Sequence, residues 1–113
     1  NAKDETAKKR YAKIADVIGL SGNNDDDKVK ALITYVRGLN DKLNIPHCIK
    51  NYGADSYPAE KGFVPEDVFL ARLPEIAKNA ILDACTGANP RKINQEEMEN
   101  LLKACYYDTD VDF

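Results

Sequence analysis

The sequence has 113 residues, a net charge of -3 and 43% hydrophobic residues. This length and balance indicate one globular domain with a core of its own and exclude an intrinsically disordered chain. The charge offers no electrostatic footprint for nucleic acid, and no apolar run approaches the roughly 20 residues that span a bilayer, so neither nucleic acid nor a membrane is an expected partner.

The N-terminal residues and the cysteines indicate the setting of the chain. The sequence begins Asn-Ala-Lys-Asp-Glu, with no initiator Met and no apolar signal segment, so we expect it to be part of a longer polypeptide or a processed product. Its cysteines, Cys48, Cys85 and Cys105, are odd in number and include no Cys-x-x-Cys pair. This pattern argues against a disulfide framework and a thiolate zinc site, and we expect reduced thiols in a cytoplasmic protein.

Apolar residues at helical spacing predict a first helix over residues 4–18, ended by Gly19, and a second over residues 28–43. The first carries the stripe Ala7, Tyr11, Ile14, Ala15 and Ile18, and the second the face Val29, Leu32, Ile33, Val36, Leu39 and Leu43. Between them, residues 25–27 are three aspartates that resemble part of a calcium loop. That loop also needs a turn Gly and a closing Glu, which are missing, so we interpret the acids as a helix cap that opposes the helix dipole.

The only histidine, His47, stands beside Cys48 after the second helix. Such a pair suggests a nucleophile with its base, or a metal site. Neighbouring residues in an extended segment point to opposite sides, and no metal-ligand spacing joins them, so we favour a surface or half-buried His47. Residues 51–64 are predicted to be an irregular loop with three aromatic anchors, Tyr52, Tyr57 and Phe63.

The sequence of the second half of the chain predicts further helices, with a corner between two of them. Pro65 opens a third helix, and Pro74 is predicted to interrupt it and to start a fresh one. The apolar stripe then runs to Cys85 and Thr86, which are predicted to lie on the last helical turn. Gly87 is expected to close that helix in the left-handed conformation.

A capping box of Asn94 and Glu97 predicts the last helix. Its apolar stripe of Met98, Leu101, Leu102 and Cys105 places Cys105 in the core, and the acidic residues 108–112 are predicted to be a frayed tail. The sequence contains no alternating strand pattern, no Walker loop and no Gly-x-Gly-x-x-Gly. The predicted fold class is therefore all-α, a helical bundle with one long loop.

The sequence of the predicted corner resembles the signature of a known protein family. Its residues Asp83-Ala84-Cys85-Thr86-Gly87-Ala88-Asn89-Pro90-Arg91 are similar to the Cys-Thr-Gly-(Gly/Ala)-Asn-Pro-Arg signature of the iron-dependent (group III) alcohol dehydrogenases. Residues 10–16, 43–46 and 101–107 also resemble that family's C-terminal helical domain, in the family's order. The similarity extends to the C-terminal half of bifunctional aldehyde-alcohol dehydrogenases.

The resemblance implies that residues 1–113 are the C-terminal part of the helical domain of a two-domain dehydrogenase, which interconverts alcohols and aldehydes by hydride transfer. The NAD(P)-binding domain and the metal ligands, one Asp and three His for a metal that is usually iron, would lie upstream of Asn1. No catalytic, cofactor-binding or metal-binding residue is then expected in this chain, which alone would be inactive.

By the same resemblance, Cys85 and Thr86 inherit a place at the substrate pocket. The expected partners are the missing N-terminal nucleotide-binding domain and, through exposed apolar surface, a second copy of the chain. The alternative hypothesis is a stand-alone helical module that binds a partner without catalysis.

Overall fold

The computed structural model describes residues 5–52 and 63–113, so most of the predicted loop, with Tyr57, lies outside the described residues. The helices are α1 (Glu5–Val17), α2 (Asp25–Lys42), α3 (Glu66–Leu82) and α4 (Gln95–Tyr107), and short 3-10 turns cover Ile49–Asn51 and Thr86–Ala88. No strand occurs in the described residues, and the all-α fold class is confirmed. The chain divides into two compact units, Ala2–Ile45 and Pro46–Phe113.

In the unit Ala2–Ile45, α1 packs on α2 through small side chains. Ala12 and Ala15 are buried, whereas no residue of α2 is. An ion pair joins the helices, with Lys28 Nζ 2.7 Å from Asp16 Oδ1. Gly19 follows the end of α1, as predicted, and has the left-handed conformation at φ 78°. Because exposed ion pairs contribute little to stability, this unit depends mainly on the small apolar contact between α1 and α2.

Polar side chains build the start of α2; the aspartates lie in its first turn, as their expected opposition to the helix dipole requires, but the N-cap is Asn24 and not one of the aspartates interpreted as the cap. Asn24 Oδ1 accepts a hydrogen bond from the Asp27 N–H at 2.9 Å, and Asp27 Oδ2 accepts one from the Asn23 N–H at 3.2 Å. Gly22 precedes this cap, and a Cβ added there would lie 2.7 Å from a main-chain nitrogen, so only Gly fits. The helix begins at Asp25, three residues before the predicted start, because the aspartates form its first turn.

Most apolar side chains that the periodicity assigned to helix faces in this unit are exposed. Tyr11, Ile14 and Ile18 of the predicted first stripe are 44–50% exposed, and Ile33 and Val36 of α2 are 53% and 48% exposed. An apolar groove of about 340 Å³ is lined by Tyr11, Val29, Leu32, Ile33, Val36 and Arg37. Exposed apolar surface is common at the interaction sites of proteins.

Self-association of the isolated chain is the expected consequence of this exposed surface, because each Å² of apolar area that is buried contributes about 25 cal/mol. Sedimentation velocity at rising concentration should show species heavier than the monomer. Ile33→Lys should weaken the association, whereas Thr34→Lys, which adds the same charge at the next exposed position, should not. A strictly monomeric chain at high concentration would contradict this prediction.

Tyr106 forms the centre of the unit Pro46–Phe113. It is 1% exposed, and its ring stacks on Phe69 with centroids 4.1 Å apart and planes 9° apart. Its hydroxyl donates to the Val64 carbonyl at 2.8 Å, and burial raises the pKa of Tyr106. With Leu73, 3% exposed, these contacts join α4 to the first half of α3.

Helix α3 runs through Pro74 without interruption, so the predicted fresh start at this residue is wrong. Pro lacks the N–H that would bond the carbonyl one turn earlier, which is costly inside a helix. The buried residues Phe69, Leu73 and Ala77, spaced four apart, lie on both sides of Pro74 and keep one face packed. Gln95 Nε2 also donates to the Pro74 carbonyl at 3.0 Å, so tertiary contacts hold the helix across the proline.

Helix α4 begins at the predicted capping box. Asn94 Oδ1 accepts from the Glu97 N–H at 2.9 Å, and Glu97 Oε2 accepts from the Asn94 N–H at 3.1 Å. The predicted core position of Cys105 is wrong, because this residue is exposed. The side chains that α4 buries are Met98, Ala104 and Tyr106. One residue turns a helix by about 100°, so the stacking of Tyr106 on α3 faces Cys105 away from the core.

Candidate functional site: the corner between α3 and α4

The corner, residues 83–91, contains both side chains predicted to face a substrate. Helix α3 ends at Leu82, so Cys85 and Thr86 lie beyond its last turn, and their predicted position on that turn is wrong. Asp83 stops the helix by adopting an extended conformation, and its Oδ1 accepts from the Cys85 N–H at 2.8 Å. Aspartate often bonds the backbone two residues on in this way, and the turn that results leads the chain out of the helix.

Thr86 ties the corner back to α3. Its hydroxyl donates at 2.6 Å to the carbonyl of Ala80, one of the four last carbonyls that have no partner within the helix. The Thr86 N–H donates to the Asp83 carbonyl at 3.1 Å. Gly87 lies inside the 3-10 turn and does not have a positive φ, so its expected left-handed closure of the helix is wrong. The Thr86 hydroxyl, and not a left-handed Gly87, bonds a carbonyl of the last turn.

Arg91 holds the other end of the corner. Its N–H donates to Asn89 Oδ1 at 3.1 Å, and its Nη2 lies 2.7 Å from Glu97 Oε1. Its Nη1 donates to the main-chain oxygen of Phe113 at 2.6 Å, and its guanidinium carbon lies 5.4 Å from the centroid of the Phe113 ring. The Arg91 and Glu97 side chains are only 16% and 22% exposed, so the pair is shielded from water.

The tail after α4 takes part in this arrangement: residues 108–112, predicted to be frayed, are exposed, but contacts hold the segment at Thr109 and at Phe113. Asp108 has a positive φ of 57°, and the Thr109 N–H donates to the Ala104 carbonyl at 3.1 Å. Phe113 contacts Arg91 through its main-chain oxygen and its ring. Sequence reasoning missed this anchor because the two residues are 22 positions apart, and the only available indication was an arginine, whose planar fork of donors suits two acceptors at once.

The corner presents Cys85 to its surroundings. Cys85 is exposed and Thr86 is half-buried, with its hydroxyl proton used by α3. A Cβ added at Gly87 would meet no atom within 4 Å, so the surface next to Cys85 and Thr86 is open. The corner therefore presents the Cys85 side chain at an open surface, on a backbone that Asp83 holds.

Groups suited to hold a catalytic metal are not found in the corner or elsewhere in residues 5–52 and 63–113, where no set of three or more His, Cys, Asp or Glu converges. His47 is at the surface, as predicted, with its side chain 52% exposed and Nδ1 3.8 Å from Asp108 Oδ2. Among the described helices, none is both long and apolar enough to cross a membrane.

The four helices of the described residues, with no strand among them, define an all-α domain whose third and fourth helices are joined by the Cys-Thr-Gly corner. The family model described as Fe-containing alcohol dehydrogenase family, C-terminal, matches residues 1–106. The chain belongs to the Fe-containing alcohol dehydrogenase family, and the resemblance found in the sequence is confirmed.

Individual relatives agree with this assignment. The NADPH-dependent butanol dehydrogenase of Clostridium saccharobutylicum is 41% identical over 109 residues, which is 96% of this chain and 26% of that protein. The bifunctional aldehyde-alcohol dehydrogenase AdhE of Escherichia coli K12 is 36% identical over 106 residues, 92% of this chain and 11% of that protein. The NAD-dependent methanol dehydrogenase of Bacillus methanolicus is 31% identical over 94 residues, 83% of this chain and 22% of that protein. The chain thus spans between about a tenth and a quarter of these relatives.

Proposed function

We propose that the chain is the C-terminal helical part of an iron-dependent, NAD(P)-linked dehydrogenase that interconverts alcohols and aldehydes. The observation that carries the proposal is the family match over residues 1–106. The relatives support it, because those with this segment are dehydrogenases of butanol and methanol or aldehyde-alcohol dehydrogenases. Since the chain spans only a small share of each, the proposal concerns a longer protein that contains this sequence.

The proposal assigns the metal and the nicotinamide to the remainder of that protein. The described residues offer no converging set of metal ligands, so no catalytic step is assigned to a side chain of this chain. When bound, the metal would act as a Lewis acid toward the alcohol oxygen, and the nicotinamide would accept the hydride.

This chain would contribute the corner to the substrate pocket. Cys85 is exposed, and its backbone is fixed by Asp83 while the next residue, Thr86, is bonded to α3. A side chain held in this way can limit the size of an alcohol without taking part in proton or hydride transfer. Cys85 is therefore proposed to line the pocket, and Thr86 to hold the backbone of that wall.

The proposed partner of the exposed apolar surface is the N-terminal nucleotide-binding domain. The groove beside Tyr11 and Val36 is apolar. Among the residues of α1 and α2, only Ala12 and Ala15 are buried. Covering this surface would supply the burial that the unit lacks. The three cysteines are all free, which supports a cytoplasmic location.

Alcohol-dependent formation of NADH or NADPH tests the proposed function. The full-length protein that contains this sequence, loaded with Fe²⁺, should oxidise primary alcohols, whereas the 113-residue chain should neither turn over nor retain stoichiometric metal after dialysis. An inactive full-length protein, or an active isolated chain, would overturn the proposal. An upstream coding sequence without a nucleotide-binding domain would favour the stand-alone binding module.

A further inference from the structure

We propose that Arg91 is a positioning residue, which fixes the Cys85–Thr86 part of the corner by clamping the corner to α4 and to Phe113. The inference rests on the proposed function, because it takes the corner to face the substrate. Arg91 would influence which substrate is selected by holding the corner in place, without itself touching the substrate.

The two ends of the Arg91 guanidinium bind different parts of the chain. Nη2 pairs with Glu97 Oε1 at 2.7 Å on the first turn of α4, and Nη1 donates to the main-chain oxygen of Phe113 at 2.6 Å. The guanidinium is planar and its donors have a fixed spacing, so both contacts hold it in one place. The Phe113 ring, 5.4 Å from the guanidinium carbon, adds a cation–π contact.

The partners of Arg91 are themselves held in place. Glu97 is fixed by the capping box with Asn94, in which each residue accepts a hydrogen bond from the backbone of the other. At its other end the corner is attached to α3 by the bond from Thr86 to Ala80. Arg91 therefore provides the side-chain link from the corner to α4, and a change there should move the segment that carries Cys85.

Substrate discrimination in the full-length protein tests the role of Arg91. Arg91→Lys keeps the charge and loses the fork, and we expect the ratio of kcat/KM for hexanol to that for ethanol to change by about three- to tenfold. Arg72→Lys is the matched control, because Arg72 forms a pair with Glu75 at 2.9 Å that is 68% and 62% exposed. The same ratio should stay within about twofold of the wild type in this control.

Alkylation of Cys85 by iodoacetamide, followed peptide by peptide in a mass spectrometer, provides a measurement that needs no turnover. Arg91→Lys should change the rate at Cys85 and leave the rate at Cys105 unaltered, since Cys105 lies on the last turn of α4. Phe113→Ala, which removes only the ring contact, should act in the same direction with a smaller effect. It serves as the second variant where Arg91→Lys does not fold.

The possible results distinguish the role proposed for Arg91 from the proposed function of the full-length protein. A lower melting temperature with unchanged alcohol ratios and unchanged Cys85 alkylation, in both Arg91→Lys and Phe113→Ala, would mean that Arg91 only stabilises the fold, and would overturn the inference. A wild-type protein that does not oxidise alcohols would refute the proposed function, and Cys85 alkylation would still decide whether Arg91 positions the corner.

Discussion

Replacing Tyr106 with alanine should lower the free energy of unfolding of this chain by about 3–5 kcal/mol, the usual cost of removing a large buried aromatic side chain. Tyr106 is 1% exposed and stacks on Phe69, so its loss leaves a cavity between α4 and α3. It also leaves the Val64 carbonyl without the hydroxyl that donates to it at 2.8 Å. Urea denaturation followed by far-ultraviolet circular dichroism would measure the change.

Two further variants separate the causes of this loss. Tyr106→Phe removes only the hydroxyl and should cost about 1 kcal/mol, since the ring still stacks. Tyr35→Ala is the matched control, because Tyr35 is 43% exposed and its removal should change stability by less than about 0.5 kcal/mol. Equal losses for Tyr106→Ala and Tyr35→Ala would contradict the central place of Tyr106 in the core.

Replacing Cys85 with leucine in the full-length protein should, under the proposed function, change the preference among alcohols by about 1–3 kcal/mol, or roughly 10- to 200-fold in relative kcat/KM. Leucine is larger than cysteine and would narrow the proposed pocket, so longer alcohols should lose most. Initial rates with ethanol, butanol and hexanol at limiting concentration would give the ratios. This experiment tests the pocket assignment itself.

Cys105→Leu is the control for Cys85→Leu, because it makes the same substitution at another exposed cysteine, on α4. We expect the relative kcat/KM values of this control to match the wild type. If Cys85→Leu lowers thermal stability but leaves the ranking of alcohols unchanged, the side chain is a structural part of the corner and the pocket assignment fails.

Features that depend on neighbouring residues could be predicted from the sequence. The predicted capping box at Asn94 forms between groups three residues apart, and Gly19 ends its helix as expected. Such bonds are decided within one helical turn, so local composition is sufficient to identify them. The all-α class follows from the same helical periodicity.

Features that depend on distant contacts could not be predicted. Pro74 is tolerated because α3 is packed on both sides of it, and local propensity contains no information about that packing. The buried face of α4 is selected by the stacking of Tyr106 on Phe69, 37 positions away, which turns Cys105 outward. Periodicity identified an apolar stripe on α4 but did not determine which of its edges faces α3.

The candidate site also combines features that could be predicted from the sequence with features that could not. The signature residues around Cys85 pointed to the corner, but its shape depends on two turns in which Asp83 and Asn89 each accept a hydrogen bond from the backbone two residues later. That spacing could have been recognised in the sequence as an indication of non-helical structure. The contact of Arg91 with Phe113 could not, because a long-range pair leaves no local pattern.

The single carboxylate of Glu97 also limits how this segment can change by mutation. One oxygen accepts from the Asn94 backbone at the start of α4, and the other pairs with Arg91. Aspartate at this position is one methylene shorter and cannot reach both partners, while glutamine would replace one acceptor with a donor and could satisfy only one of them. Accepted substitutions at 91, 94 and 97 are therefore expected to arise together, and variants changed at position 97 alone should be less stable than the wild type.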